Sequence, residues 1–222
     1  MGRLCVKALV TGFQPFGGDD VNPAGAALAH LPAQTGTLAI ATRVLPVAFG
    51  QAIEVLAAAV ATTAPDIVLC VGLAGGRPAL SLERVAINLD DARIPDNAGR
   101  QPIGRPIVEG GAAAYLTNLP IKAAAAALRE AGLPAIVSNT AGTFVCNHVF
   151  YGLMHLAATG RPGLRGGFLH LPYLPAQAAR HVNSLGVAPS MVLAEIVRGI
   201  EIVLAVAAAR RDDIVAVEGV IS

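Results

Sequence analysis

Charge is scarce in this chain of 222 residues: Asp, Glu, Lys and Arg make up 14% of it, and the formal net charge is +1. The sixteen Lys and Arg residues stand singly, so no basic stripe exists to meet a nucleic acid or an anionic membrane surface. Cysteine is rarer still. Cys5, Cys70 and Cys146 are odd in number and form no CxxC pair, which argues against a disulfide framework and a zinc site and points to a reducing, cytoplasmic setting. HExxH is missing, and neither TGFQPFGG (11–18) nor GLAGG (72–76) matches a glycine fingerprint for nucleotides. Even the most apolar segment is not free of charge. Ser190–Ala209 carries Glu195, Arg198 and Glu201 at helical spacing, and each would cost about 2.5–3.5 kcal/mol at a bilayer centre. It reads as a helix with one buried face, and no membrane partner is expected. The opening residues, MGRLCVKALVTGF, pass straight into a glycine- and proline-rich turn and read as a first strand, not a signal peptide.

What the chain does have is apolar residue: 54% hydrophobic, enough to bury one α/β core over residues 1–222. Strand-length apolar runs at Lys7–Thr11, Asp66–Val71, Ala135–Ser138 and Gly167–Leu171 alternate with helical stretches. The helices are expected at Pro23–Ala33, Phe49–Thr63, Pro120–Ala131, Cys146–Thr159 and Ser190–Arg210, with Gly132 and Gly160 as stops. This order predicts a sheet covered by helices on both faces. Functional residues should gather in loops beyond the carboxyl ends of the strands, namely 11–22, 72–102, 139–146 and 170–177. Within the second loop, SLERVAINL has the composition of a further strand.

Cys146 follows a small-residue turn and opens a helical run, SNTAGTFVCNHVFYGLMH, so its sulfur is expected near a helix N-terminus, where thiolate is favoured. Cys5 and Cys70 sit in apolar strand candidates and fit a structural role. A nucleophilic thiol needs a base. His148 lies two residues along the same helix and faces elsewhere, and surface or capping roles suit it together with His30, His155 and His181. His170 ends the strand GGFLH before the proline-fixed LPYLP turn, which would set it at the same sheet edge as Cys146. A carboxylate should then orient the imidazole. Glu83, Asp90, Asp91 and Asp96 are the candidates. Glu83 is preferred because ERVAIN would turn one acid inward, with a surface ion pair to Arg77 or Arg84 as the alternative; the aspartates resemble turn residues.

Four ordered segments carry a resemblance that spans nearly the whole chain: VTGFQPFGGDDVNPA (10–24), GLAGGRPALSLERVAINLDDARIPDNAGRQP (72–102), SNTAGTFVCNHVFYGLMH (138–155) and GFLHLPYLPAQ (167–177). The chain resembles type I pyroglutamyl peptidases, also called pyrrolidone-carboxylate peptidases. The resemblance implies a single-domain α/β/α sandwich with a mixed, mostly parallel sheet, a Glu83–Cys146–His170 triad, and hydrolysis of the bond after an N-terminal pyroglutamyl residue through a thioacyl-enzyme. It implies Arg93 as an oxyanion donor, and Phe13, Phe16, Ile94, Phe144 and Val145 as pocket walls. Asn22 and the backbone of Leu73 would hold the polar atoms of the ring. It also implies no metal, no cofactor, and an intracellular homotetramer. The chain departs from the pattern at Gln14, where Glu is usual, at Leu73, where Gln is usual, and at Ala24, where Ser is common. Residues 211–222 are expected beyond the final helix, as a subunit contact or a tail.

Overall fold

The computed structural model describes residues 6–183 and 186–219; Cys5 and the last residues of the expected tail lie outside them. The strands are β1 (Val6–Phe13), β2 (Gln34–Thr35), β3 (Leu38–Leu45), β4 (Ile67–Leu73), β5 (Leu80–Glu83), β6 (Val85–Ile87), β7 (Ala114–Leu116), β8 (Ala135–Ser138), β9 (Arg165–Leu171), β10 (Val182–Asn183) and β11 (Gly186–Val187). The helices are α1 (Pro23–Leu28), α2 (Gln51–Thr63), α3 (Ile121–Glu130), α4 (Val145–Thr159), α5 (Pro175–Ala178) and α6 (Leu193–Ala209). One sheet has the order β2-β3-β1-β4-β9-β5-β8, while β6 pairs with β7 and β10 with β11 in two small ribbons. The fold is a single α/β domain, as expected.

Strand periodicity explains the layers. Ala8, Val10, Leu69, Val71, Leu169 and Leu171 point to one face and pack with α1, α3 and α6; Leu9, Phe13, Val68, Cys70 and Phe168 point to the other, against α2 and α4. Near-continuous burial of β1, β4 and β9 follows from their central places, where both faces are covered.

The observed strands depart from or add to the expected set at three points. Leu38–Leu45, absent from the sequence reading, is a strand of the main sheet parallel to β1; its Thr42 and Arg43 obscure the apolar run because the strand lies near an edge and is only partly buried. The run SLERVAINL is divided, with β5 entering the main sheet and β6 leaving it to pair with β7. Finally, β5 and β8 are parallel to each other but antiparallel to β9. The segment 139–144 therefore climbs back toward the C-terminal end of β9 before α4 begins, and does not leave from the same edge as the loops after β4 and β9.

Helix limits shift inward for α1, which stops at Leu28, and for α6, which starts at Leu193. Asn22 caps α1, its Oδ1 accepting the Ala24 N–H at 3.0 Å, with Pro23 at the first position. Helix α3 has only Pro120 before it and takes its cap from a distance. Asp213 accepts the N–H groups of Lys122 and Ala123 at 2.9 Å each, and Lys122 Nζ donates to the Ala216 carbonyl. Residues 211–219 thus run back across α3 as far as Arg84, whose guanidinium donates to the Glu218 carbonyl. No helix among the described residues is long and apolar enough to cross a membrane.

Candidate active site

The same alternation that builds the core sends the polar strand residues to one side. Leu80 and Leu82 face α3 and α6, so Ser81 and Glu83 face the α4 side, as do Gly72 and His170 by their places between Val71, Leu73, Leu169 and Leu171. Gly72 and His170 are register partners on β4 and β9, about 4.8 Å apart across the sheet. Helix α4 lays Cys146 over this point. A Cβ on Gly72 would lie 2.9 Å from Cys146 Sγ and 2.9 Å from Phe168 Cζ, so only glycine lets the thiol rest against the sheet beside His170.

Strand β5, antiparallel to β9, sets Ser81 opposite His170 and Glu83 opposite Phe168. From there His170 Nδ1 donates to Glu83 Oε1 at 2.7 Å, and both side chains are buried. An ionised carboxylate only accepts, so this bond puts the imidazole proton on Nδ1 and leaves Nε2 free. Glu83 has a second partner. Arg77 Nη1 donates to the same Oε1 at 2.6 Å, while its Nη2 donates to the Thr140 carbonyl at 3.0 Å.

Burial sets the resting charges. It pushes the Cys146 pKa from 9.0 up to about 12, helped by the charge of Glu83 and then Cys70 and opposed by Arg77. The residue as a whole is only partly buried and lines a small cavity. Desolvation thus outweighs the pull toward thiolate at the helix N-terminus. His170 is shifted down from 6.5, chiefly by burial, with the Glu83 hydrogen bond acting against this. Both shifts favour the uncharged forms, a thiol and a neutral imidazole.

A stability prediction follows. Cys70 is also pushed up to about 12 by burial. Both thiols hold their protons where the unfolded chain, with a cysteine pKa near 9, has lost them. Their stabilisation is complete below about pH 9 and falls by roughly 1.4 kcal/mol per thiol per pH unit from there to about 12. His170 acts oppositely, since its lowered pKa makes the fold lose stability as pH drops below 6.5. Urea midpoints at pH 8 and 10 should show a steep alkaline loss that Cys70→Ala roughly halves; an equal slope in that variant would refute the assignment.

Beside Cys146 opens a cavity of about 130 Å³, lined by Phe13, Phe16, Val21, Asn22, Val47, Leu73, Phe144, Val145 and Cys146. Drug-sized sites run to about 300–1,000 Å³, so this one suits a single small ring. Phe144 is held by Phe16 at 5.2 Å and edge-on by Phe49 at 5.3 Å between ring centroids. Asn22 uses Oδ1 to cap α1 and one Nδ2 hydrogen on the Gln14 carbonyl at 3.0 Å, which leaves its second Nδ2 hydrogen for a ligand. Gln14 itself enters this network through its backbone, and its side chain is exposed.

Not every expected residue reaches the cavity. Ile94 is 50% exposed and Arg93 is exposed, and neither lines the wall. Their loop is nevertheless tied to the start of α4, since the Asp91 N–H donates to the Thr143 carbonyl at 3.0 Å and Thr143 Oγ1 donates back to the Asp91 carbonyl at 2.7 Å. His148, expected in a surface or capping role, is buried and donates from Nδ1 to Asp90 at 2.8 Å, while its Nε2 accepts the N–H of Gly50, the residue that caps α2, at 2.9 Å. Asp90 is accordingly a buried partner, not a free turn residue. Asp96 is buried and accepts the N–H of Phe49 at 2.8 Å, while its other oxygen accepts the N–H groups of Ala98 and Arg100 at 2.8 Å each, the turn role expected of it. Val21 and Val47 went unnoticed as wall residues because a lone valine in a loop carries no signal of its own. Among the described residues, no group of three or more His, Cys, Asp or Glu side chains could hold a metal ion.

Comparison with known proteins agrees with this geometry. A family profile described as pyroglutamyl peptidase matches residues 6–211. Pyrrolidone-carboxylate peptidase 1 of Ralstonia nicotianae is 54% identical over 207 residues, 93% of this chain and 94% of that protein. The pyrrolidone-carboxylate peptidase of Streptomyces coelicolor is 53% identical over 203 residues, 91% of this chain and 92% of that one. The crystal structure of Bacillus amyloliquefaciens pyroglutamyl peptidase I superposes with a TM-score of 0.90 at 48% identity, covering 94% of this chain and all of that one. With a thiol, an imidazole and a carboxylate gathered beside a small apolar cavity, and with this likeness along nearly its full length, the chain belongs to the pyroglutamyl peptidase family.

Proposed function

We propose that this protein is a cysteine peptidase that removes an N-terminal pyroglutamyl residue from peptides. The observation that carries this reading is the cavity of about 130 Å³ with Cys146 in its wall and the buried His170–Glu83 pair beside it. Pyroglutamate is a flat, uncharged lactam. Phenylalanine walls suit its ring, and Asn22 and the Leu73 backbone supply the polar contacts. An ordinary N-terminus would bring an ammonium ion into an apolar space with no acid in its lining, which is costly.

Catalysis starts from the neutral pair. As Sγ attacks the carbonyl joining pyroglutamate to the next residue, the thiol proton passes to His170 Nε2, and Glu83 stabilises the imidazolium so formed. The C–N bond then breaks, His170 returns the proton to the departing amine, and a thioester remains on Cys146. Water, giving a proton to His170, attacks the thioester; the C–S bond breaks and the sulfur recovers that proton. The oxyanion of each step would meet N–H groups in the first turn of α4. Arg93 is the second donor we assign. It makes no ion pair with Asp90, Asp91 or Asp96, and its loop is joined to Thr143 at the start of α4. The substrates are peptides bearing N-terminal pyroglutamate, and we place the enzyme in the cytoplasm as a homotetramer, by resemblance and by its free cysteines.

Amides of a chromogenic amine carrying pyroglutamyl, alanyl or prolyl groups test the reading. The pyroglutamyl amide should be hydrolysed with a kcat/KM at least about a thousandfold above the others. Comparable turnover of the alanyl amide would overturn the specificity, and saturable binding without turnover would make the protein a non-catalytic binder of pyroglutamyl peptides.

A further inference from the structure

Glu83 is fully buried, and its two oxygens are treated unequally. Oε1 takes both the His170 Nδ1–H and the Arg77 Nη1–H, whereas Oε2 is buried and has no hydrogen-bond partner among the described residues. A carboxylate withdrawn from water in this way depends on the donors that reach Oε1. Among the described residues, Arg77 is the one permanent cation paired with Glu83. The other ionisable groups facing this point are His170 from β9, Cys146 from α4 and Cys70 from β4. Arg84, next in the chain, turns away to the Glu218 carbonyl.

The arginine is built into its place. Nη2 is anchored on the Thr140 carbonyl, and its N–H closes a turn on the Ala74 carbonyl at 3.2 Å. The turn is pressed by Tyr173, whose hydroxyl would lie 2.2 Å from any Cβ at Gly75.

We propose that Arg77 is a positioning residue for the reaction: by holding Glu83 ionised, it fixes the tautomer of His170 that can take the Cys146 proton. The inference rests on the peptidase reading above. An ionised Glu83 accepts only, so the imidazole hydrogen stays on Nδ1 and Nε2 is a base. A protonated Glu83 can donate to Nδ1 instead, which moves the imidazole hydrogen to Nε2 and leaves no acceptor for the thiol proton. Arg77 makes no contact with the thiol and is bonded to the triad through Glu83, although its charge also bears on Cys146 and His170, lowering the pKa of both.

The test combines two rates across about pH 6 to 10: kcat/KM for the pyroglutamyl amide, and alkylation of Cys146 by iodoacetamide. Arg77→Met should lower kcat/KM about a hundredfold at pH 7, with the deficit shrinking as pH rises and Glu83 regains its charge. Arg77→Lys should recover to within about tenfold of wild type, because a cation is restored without the bidentate fork. In a Glu83→Gln background, Arg77→Met should cost nothing further and should recover part of the rate, because the uncompensated cation near His170 is removed. Losses equal at every pH, or equal in both backgrounds, would overturn the proposal and leave Arg77 a structural support. Should Arg77→Met fail to fold, Arg77→Lys decides: a folded lysine variant with more than a hundredfold loss and an unshifted profile also overturns it. A wild-type protein that releases no pyroglutamate but shows the Arg77-dependent alkylation profile would sink the peptidase reading and keep this one.

Discussion

Replacing Cys146 with alanine is expected to lower kcat/KM for a pyroglutamyl amide by about 10⁵-fold or more, because no other group can form the covalent intermediate. Cys70 cannot substitute. It is fully buried in β4 beneath α2 and α4, with its pKa pushed up to about 12 and no place in the cavity wall. The fold should survive the change, since Cys146 is only half-buried and opens on a space that already exists, so the cavity term of a core truncation is small. Binding should survive too, and the variant should retain the pyroglutamyl peptide with near-normal affinity, measurable by calorimetry. Activity within about a hundredfold of wild type would remove Cys146 from the mechanism.

The next largest effect is expected of Glu83→Gln: a fall in kcat of about 10⁴-fold with little change in KM. The amide oxygen can still accept from His170 Nδ1, so the ring stays in place. What disappears is the negative charge that stabilises the imidazolium as the thiol gives up its proton. Arg77, left at 2.6 Å with its charge uncompensated, makes that imidazolium still harder to form. Breaking a fully buried ion pair costs about 3–5 kcal/mol. Arg77 is 29% exposed and can turn its charge to water, so the stability loss should fall below that range. A drop confined to KM would place Glu83 in substrate binding instead. Glu83→Asp should be nearly as slow, because the shorter side chain cannot reach from the Phe168 register position to His170 Nδ1.

Much of the site was legible because its residues break local pattern. Cys146 stands out at the junction of a small-residue turn and an amphipathic helix, and His170 ends an apolar strand before a proline turn. Glu83 carries less signal, since an acid in a strand candidate is as easily a surface residue. Its rivals Asp90 and Asp96 proved to be committed elsewhere, to His148 and to the Phe49 N–H. Those pairings link residues 58 and 47 positions apart, a separation at which local sequence carries no information. The same holds for Arg77 and Thr140, and for Asp213 at the start of α3.

Helix position and burial act oppositely on the nucleophile. A helix N-terminus is visible in sequence and favours thiolate, whereas desolvation depends on everything packed around the sulfur. Here that surrounding includes Phe168 and the sheet at Gly72, brought together by α4 crossing β4 and β9.

Alternation of apolar residues, turn glycines and four ordered motifs determined the α/β class, the thiol and imidazole, and the family, because each depends on short-range periodicity or on the residues themselves. Tertiary structure alone decided the direction of β5 and β8, the neutral form of the thiol and imidazole, and the meeting of Arg77, Glu83 and His170 on one carboxylate oxygen. Strand direction, desolvation and ion pairing are all set by what lies opposite in space, and chain order does not specify that neighbour.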